Sequence, residues 1–314
     1  MRIATYTALA GGFALAASLP LRADDAGASS KASGSPGATG YPRADLLIEA
    51  EALAAPGALS KYVVLDARGP RANAEARIPG SRAVDAAAWA KAFGDGSDAE
   101  GWSRRIGQLG IGAGTPVVVF DDALSKDAAR VWWILRYWGV EDARILNGGW
   151  KAWQAGKHPV ETGAPASVQP VPFTARAHAA RHATKESILK SLAAPGSLQI
   201  VDARSEAEYC GTDKLSNRRG GAIPGAKHLE WSDLLDKTTQ RFLPPVELRK
   251  RFESAGIDIQ KPTATHCQSG GRSSVALFAL ELLGAKGPRN YYAGWSEWGN
   301  ADDTPIVPGK PASK

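Results

Sequence analysis

The chain repeats itself once over most of its length. Four short motifs of the first half recur in the second half, in the same order and with nearly constant separation. The pairs are VVLDAR (63–68) with QIVDAR (199–204), RIPGSRAVDAAAW (77–89) with AIPGAKHLEWSDL (222–234), GAGTPVVVFDD (112–122) with DIQKPTATHCQ (258–268), and NGGWKAW (147–153) with YAGWSEW (292–298). The two copies of each motif are well over a hundred residues apart. A repeat unit of that length has the size of a domain, so the sequence predicts two duplicated domains.

Within each half, short apolar runs alternate with helical patterns. The runs VVLDA and VVVFD are β-branched and unrelieved by polar residues, which is typical of buried parallel strands. Apolar residues recur at helical spacing over 126–137 and 274–283, and Gly139 and Gly284 follow as stop signals. We therefore predict an α/β fold with two tandem domains, each a central, mainly parallel sheet flanked by helices. Ligands of such sheets bind beyond the carboxyl ends of the strands.

The ends of the repeat suggest the domain boundaries. We expect domains over 41–160 and 181–309, joined by a linker rich in Pro and Ala over 161–180. Residues 24–40 are small and polar and predict a flexible tether. Residues 1–23 begin with a basic residue and continue with an apolar run that is short for a membrane span, as in export signals. We expect a cleaved signal peptide and a periplasmic or secreted protein without a membrane span.

Charge and composition narrow the class of ligand. The formal net charge is +6 and the sequence pI is about 9.3, which favours anionic ligands at short range. Basic residues do not form a stripe interleaved with aromatics, so we do not expect nucleic acid binding. The five histidines lack metal-ligand spacing, and we expect no metal. The two cysteines, Cys210 and Cys267, either form one disulfide or comprise a reactive thiol and a packing residue.

The segment HCQSGGRSS (266–274) carries the chemistry. It follows a predicted strand over 263–265 and precedes a helix predicted to begin near Ser274. A short turn entering a helix can point several backbone N–H groups inward, and such a nest holds an anion. Cys267 at its start should therefore have a lowered pKa and act as a thiolate. Gly270 and Gly271 should supply the backbone angles of the turn, and Arg272 a fixed positive charge.

These features resemble the two-domain rhodaneses, the family of thiosulfate and 3-mercaptopyruvate sulfurtransferases. The resemblance extends from about Tyr41 to Pro308 and includes the paired DAR, IPG and GW motifs and a six-residue cysteine loop in the second half. It implies that the first domain is inactive, because the position aligned with Cys267 is Asp121 and a carboxylate cannot carry sulfane sulfur. The first domain should instead shape the cleft.

The resemblance also implies a mechanism. The Cys267 thiolate attacks the outer sulfur of a small anionic donor, and a thiophilic acceptor, cyanide or a thiol, then removes sulfur from the persulfide. Neither a metal nor an organic cofactor is needed, and two domains can form the cleft within a monomer. The residues expected to bind the donor are Arg204, Gln268, Ser269, Gly270, Gly271, Arg272 and Ser273.

Several alternatives remain open on the sequence. Tyrosine phosphatases place five residues between Cys and Arg, whereas this chain has four, which suits a sulfur atom better than a phosphoryl group. A sulfur-binding or redox-sensing module could use the same thiolate without turnover. Gln268 and the final Arg272 favour thiosulfate over 3-mercaptopyruvate, while Ser269 with Gly270 echoes loops of the latter type. Arg204 could instead form a structural ion pair with Asp202 or Glu208.

Overall fold

The structure, a computed structural model, describes residues 40–310. The predicted signal peptide (1–23) and the predicted tether up to residue 39 lie outside the described residues. Among the residues it does describe, no helix combines the length and the apolar character needed to cross a membrane.

Two separate sheets, both entirely parallel, form the two halves of the described chain. The first has strand order β1-β5-β4-β2-β3, and the second has order β7-β6-β8-β9. The strands are β1 (Leu47–Ile48), β2 (Val63–Asp66), β3 (Arg82–Ala83), β4 (Val117–Phe120), β5 (Ala143–Leu146), β6 (Gln199–Asp202), β7 (Lys227–His228), β8 (Thr263–His266) and β9 (Arg289–Tyr291). The predicted fold class, two tandem α/β domains with parallel sheets, is confirmed.

Helices connect and cover the strands, as parallel pairing requires. They are α1 (Ala50–Leu53), α2 (Pro70–Glu75), α3 (Ala86–Phe93), α4 (Ala99–Gly107), α5 (Lys126–Tyr137), α6 (Gly149–Ala155), α7 (Lys185–Leu192), α8 (Glu206–Cys210), α9 (Pro245–Ser254), α10 (Gly271–Leu282) and α11 (Gly294–Trp298). Short 3-10 turns lie at Ala44–Leu46, Leu59–Lys61, Ala179–Arg181 and Trp231–Leu234.

The register of the central strands fixes where the two aligned loops begin. Asp66 of β2 lies opposite Phe120 of β4 in the first sheet, and Asp202 of β6 lies opposite His266 of β8 in the second. Asp121 and Cys267 are therefore equivalent residues, each directly beyond the carboxyl end of a central strand. This is the edge at which ligands of parallel sheets bind.

The largest apolar core joins the two halves. It contains buried residues of α5 and α10, the helices that follow the two aligned loops. Across this contact the rings of Trp132 and Phe278 meet edge to face with centroids 4.7 Å apart. Two smaller clusters cover the outer faces of the first and second sheets. Burial of large rings between the halves fixes the position of one loop relative to the other.

The predicted linker follows the surface of the first half. Over 162–178 the chain forms neither helix nor strand. It is held by backbone hydrogen bonds from Val171 to Gly107 (3.0 Å), from Arg176 to Trp138 (3.1 Å) and from His178 to Tyr137 (2.8 Å). Because its amides are paired with the first half, this segment is part of the folded structure rather than a free spacer.

Candidate functional site

The cysteine loop is a short turn between β8 and α10. Gly270 has a positive φ of 85° and is the N-cap of α10. The helix thus begins at Gly271, three residues earlier than the predicted start near Ser274. That prediction was wrong because apolar spacing marks only the buried part of a helix, whereas a glycine in the left-handed region can start the first turn earlier. As a result, Gly271, Arg272 and Ser273 form the N-terminal turn, whose backbone N–H groups lack intrahelical acceptors.

The two glycines of the loop serve different purposes. Gly270 supplies the left-handed backbone, as predicted. The same prediction for Gly271 was wrong, because Gly271 is not among the residues with positive φ. A Cβ at position 271 would instead lie 2.5 Å from Nη2 of Arg130. A side chain at position 271 would therefore have to shift the Arg130 guanidinium, which lies directly against Gly271.

Hydrogen bonds from outside the loop hold its carbonyl groups outward. The Cys267 carbonyl accepts from the backbone N–H of Trp295 (2.8 Å), and the Gly270 carbonyl accepts from Ser274 Oγ (2.7 Å) and Asn290 Nδ2 (3.3 Å). With the carbonyls engaged behind the loop, the first-turn N–H groups are directed towards the sulfur side. This arrangement of the carbonyls is compatible with a loop whose amides surround Cys267.

The surroundings of Cys267 favour its thiolate. The residue is only 1% exposed, and burial alone raises the pKa of the thiol. The positive charge of Arg272, the polar groups of the neighbouring Ser273 and the charge of Arg130 outweigh burial, so the pKa lies below its usual value. A thiolate at a helix N-terminus next to arginines is the nucleophilic form of cysteine.

Arg272 is fixed by a carboxylate from the neighbouring helix α8. Its Nη2 lies 2.8 Å from Oε1 of Glu208, and only 6% of the Glu208 side chain is exposed. Burial raises the pKa of Glu208, but the hydrogen bond and the charge of Arg272 lower this pKa by more than burial raises it, so the net shift is downward. Ser205 completes the arrangement with a capping box to Glu208. The pair keeps the Arg272 guanidinium beside the loop.

A cavity of about 840 Å³ opens in front of Cys267 and has walls from both domains. Its lining includes five cationic residues and two acidic ones, and three of the cations, Arg68, Arg71 and Arg272, form ion pairs with carboxylates outside the lining. The cations are Arg68, Arg71, Lys126, Arg130 and Arg272, and the acids are Asp85 and Asp127. Of the predicted site residues, the cavity brings together Cys267, Gln268, Ser269, Gly271 and Arg272. Gly270 and Ser273 lie behind it and shape the loop.

Arg204 has a structural position, contrary to the prediction that it binds the donor. It is 1% exposed, its Nη2 lies 2.6 Å from Asp202 Oδ2, and its guanidinium lies 4.1 Å from the Trp295 ring centroid. Arg204 directly follows the strand end at which ligands of parallel sheets bind, but its side chain is buried and donates to Asp202 and to the Gly221 carbonyl instead of lining the cavity. The ion pair with Asp202, which we considered as the alternative, is the arrangement found.

Two residues at the site escaped the sequence analysis, Arg130 and Tyr292. Arg130 lies on α5 of the first domain, and its Nη1 donates to the Ser269 carbonyl (2.7 Å) and to the Tyr292 hydroxyl (2.9 Å). The helical pattern of 126–137 predicted the helix that carries Arg130, but it did not indicate which residues of the second domain Arg130 contacts. Behind the loop, burial lowers the pKa of His266 to about 4, so this imidazole is neutral near pH 7.

Both cysteines are free, and Cys210 lies on α8 with intermediate exposure. Within residues 40–310, no group of three or more His, Cys, Asp or Glu side chains is arranged to hold a metal ion.

Comparison with known proteins identifies the class. The sequence model of the Rhodanese-like domain matches residues 49–156 and again 185–301. The chain belongs to the rhodanese family, with two domains of that type, and its class of activity is sulfur transfer.

Individual relatives agree with this assignment. The chain is 32% identical over 265 residues to a thiosulfate sulfurtransferase of Azotobacter vinelandii, covering 83% of this chain and 96% of the relative. It is 32% identical over 247 residues to a thiosulfate sulfurtransferase of Corynebacterium glutamicum, covering 74% and 80%. The crystal structure of YnjE has a similar fold, with a TM-score of 0.76 at 22% identity, covering 87% of this chain and 70% of that one.

Proposed function

We propose that this protein is a thiosulfate sulfurtransferase in which Cys267 carries the transferred sulfur. The observation that supports this most is a single buried thiol with a lowered pKa, set at a helix N-terminus on a cationic interdomain cavity. An anionic sulfur donor is attracted to such a cavity, and its sulfur can approach only the side of the loop on which the thiolate lies.

The chemistry balances without a cofactor. The Cys267 thiolate attacks the outer sulfur of thiosulfate, a new S–S bond forms, and the original S–S bond breaks with its electron pair leaving on sulfite. A thiophile such as cyanide or a thiolate then attacks the outer sulfur and returns the electron pair to Cys267. Between the two steps the persulfide carries a negative charge, which the first-turn N–H groups of α10 stabilise as an oxyanion hole would.

Donor choice is the finer part of the proposal. Thiosulfate is supported by the relatives above and by Arg272, the basic residue that ends the loop and lines the cavity, whereas the neutral Gln268 and Ser269 beside Cys267 do not favour it. The alternative donor is 3-mercaptopyruvate, since a relative from Arabidopsis thaliana is named for both substrates. Turnover with each donor at equal concentration, with cyanide as the acceptor, distinguishes the two.

The central test is the substitution Cys267→Ala. We expect thiocyanate formation from thiosulfate and cyanide to fall to background, with an unchanged circular dichroism spectrum. Cys210→Ser is the matched control and should retain full activity. Intact-mass measurement after incubation with thiosulfate should show one added sulfur atom in the wild type and in Cys210→Ser, and none in Cys267→Ala. Substantial transfer by Cys267→Ala would refute the proposal, and a sulfur adduct without turnover would indicate a carrier module.

We also propose that the protein is exported and acts as a monomer. The support is the sequence pattern of residues 1–23 and a cavity lined by both domains of one chain. N-terminal sequencing of the mature protein and its sedimentation behaviour would test the two points, and an intact N-terminus or a stable dimer would overturn them.

A further inference from the structure

We propose that Arg130 of the inactive domain is a positioning residue that clamps the cysteine loop in its closed form, so that the first domain completes the catalytic loop of the second. This inference rests on the proposed function of Cys267 as the sulfur carrier.

The first observation is the contact itself. A single nitrogen of Arg130, Nη1, donates to the Ser269 carbonyl at 2.7 Å and to the Tyr292 hydroxyl at 2.9 Å. Ser269 belongs to the cysteine loop, and Tyr292 follows β9. Both acceptors lie in the second domain, whereas Arg130 lies in the first. By holding the Ser269 carbonyl outward, Arg130 adds to the hydrogen bonds that direct the loop amides towards the sulfur.

The second observation is that the two glycines of the loop lie directly against Arg130 and Tyr292. A Cβ at Gly271 would lie 2.5 Å from Arg130 Nη2, and a Cβ at Gly270 would lie 2.4 Å from ring carbons of Tyr292. The loop therefore lies against the guanidinium at Gly271 and against the phenol ring at Gly270. Any residue larger than glycine at position 271 must displace Arg130.

The third observation is that Tyr292 is anchored in the first domain. Its ring stacks on Trp133 of α5 with centroids 4.9 Å apart and planes at 14°, and lies 4.6 Å from the ring of Phe93. Because these rings are buried, opening the loop would also require separating part of the domain contact. Arg130 and Tyr292 thus couple loop closure to domain docking.

The charge of Arg130 differs from that of Arg272 in one respect. Arg272 is paired with Glu208, whereas the two hydrogen-bond acceptors of Arg130 are a carbonyl and a phenol. Arg130 and Arg272 are the positive charges that lower the pKa of Cys267. The other ionisable groups around them come from several elements. They are Lys126 and Asp127 of α5, Glu208 and Asp202 beside Arg272, Tyr292, the neutral His266 behind the loop, and Arg68, Arg71 and Asp85 of the facing cavity wall. Loss of Arg130 should therefore change the ionisation of Cys267 as well as the shape of the loop.

The test compares Arg130→Met and Arg130→Lys with the control Arg104→Met, which removes an exposed guanidinium from α4 of the same domain. The readout is the rate of Cys267 alkylation by iodoacetamide as a function of pH, measured in full-length protein with Cys210→Ser. For Arg130→Met we expect the rate near pH 6 to fall roughly tenfold, as for the loss of one nearby charge. Arg130→Lys should restore part of the pH profile but not the transfer rate, because the shorter lysine side chain does not bring its ammonium within hydrogen-bond distance of both acceptors. Arg104→Met should match the wild type.

A double-mutant comparison separates a clamp from a general loss of structure. Gly271→Ala should lower transfer severalfold in the wild type, yet change it little once Arg130→Met has vacated the space. Tyr292→Phe, which keeps the stacked ring and removes only the hydroxyl, serves if Arg130→Met folds poorly, and should reproduce a smaller part of the effect. A wild-type pH profile in Arg130→Met, or an equal cost of Gly271→Ala in both backgrounds, would overturn the proposal. Failure of the proposed function is distinguishable, because wild-type Cys267 would then gain no sulfur from thiosulfate.

Discussion

The two aligned loops, which follow β4 and β8, have nearly the same backbone frame but begin with different side chains, Asp121 and Cys267. In the first domain the carbonyl of Asp121 accepts from the Trp150 N–H at 2.8 Å, and in the second the carbonyl of Cys267 accepts from the Trp295 N–H at the same distance. In each domain a glycine of the GW motif, Gly149 or Gly294, lets this approach occur, because a Cβ there would strike the carbonyl. The frame is therefore a property of the fold and does not by itself produce activity.

In the first loop the carboxylate of Asp121 accepts the hydrogen bonds of the backbone N–H groups around it. The two oxygens of Asp121 accept four backbone N–H bonds of 2.8–3.1 Å, from Ala123, Ser125, Asp127 and Ala128. Burial raises the pKa of Asp121 and these bonds lower it. The net pKa is about 6, so the carboxyl group is mostly charged at neutral pH. The comparison teaches that this type of loop holds an anion in both domains, and that only a thiolate leaves the anion able to gain and lose a sulfur atom.

The charge at the helix start is reversed between the loops. Asp127 is the second residue of α5, and Arg272 is the second residue of α10. The first loop is also one residue longer, since α5 begins five residues after Asp121 and α10 begins four residues after Cys267. By contrast, the ion pairs Asp66–Arg68 and Asp202–Arg204 are alike, both at 2.6 Å and both below a tryptophan ring. Since the first domain also has this pair, without an aligned cysteine, the pair at Arg204 belongs to the shared fold.

Giving the second loop the side chain of the first should have the largest effect. We expect Cys267→Asp to lower sulfur transfer by about 10³-fold or more, since the nucleophile is lost. The protein should still fold, because the amides that surround Asp121 show that such a loop accommodates a carboxylate. Thiocyanate formation and urea unfolding measure the two effects.

The reverse exchange sharpens this result. Asp121→Cys places a thiol in the longer loop, beside Asp127 instead of an arginine, and should gain no sulfur from thiosulfate by intact mass in the Cys267→Ala background. A sulfur adduct there would mean that the residue type alone distinguishes the two domains.

An intermediate effect is expected from the charge that differs between the loops. Arg272→Ala leaves the buried Glu208 carboxylate without its partner and should lower the free energy of unfolding by about 2 kcal/mol. It should also raise the pKa of Cys267. When the pH is lowered, the rate of alkylation by iodoacetamide should therefore begin to fall at a higher pH in Arg272→Ala than in the wild type. The alkylation rate between pH 5 and 9 measures this shift.

Arg218→Ala is the matched control for that experiment. Its ion pair with Asp302 is exposed, with 63% and 84% of the two side chains accessible, and exposed pairs contribute little. If Arg218→Ala and Arg272→Ala shift the alkylation profile equally, the effect is one of net charge and not of position.

Features that depend on local sequence were predictable here, and those that depend on long-range contacts were not. The strand 63–66, the helix 126–137 and the strand-to-helix turn that begins at Cys267 follow from repeat motifs and apolar periodicity. Arg130 could not be found in this way, because its partners Ser269 and Tyr292 are more than a domain away in sequence. The role of Gly271 was misjudged for the same reason, since the group that it must avoid lies in the other domain.

The smallest effect on transfer should come from the first loop. Asp121→Ala removes the carboxylate from four backbone N–H groups and should lower the free energy of unfolding by about 2–3 kcal/mol, because buried donors left without acceptors are costly. The rate of transfer per folded molecule should stay within about twofold, since this loop has no thiol and acts on the site only through α5. Urea unfolding and thiocyanate formation on the same sample measure both.

Asp122→Ala is the appropriate control, because it makes the same change of charge one residue further on, at an exposed side chain. It should leave both stability and transfer unchanged. If Asp121→Ala abolished transfer while remaining folded, the first loop would be acting on the second beyond simple support. The route would then be α5, because the helix whose N-terminal amides bind Asp121 is the one that carries Arg130 to the Cys267 loop. A loss of transfer confined to Asp121→Ala and Arg130→Met would show that the carboxylate of the first loop helps to position that arginine.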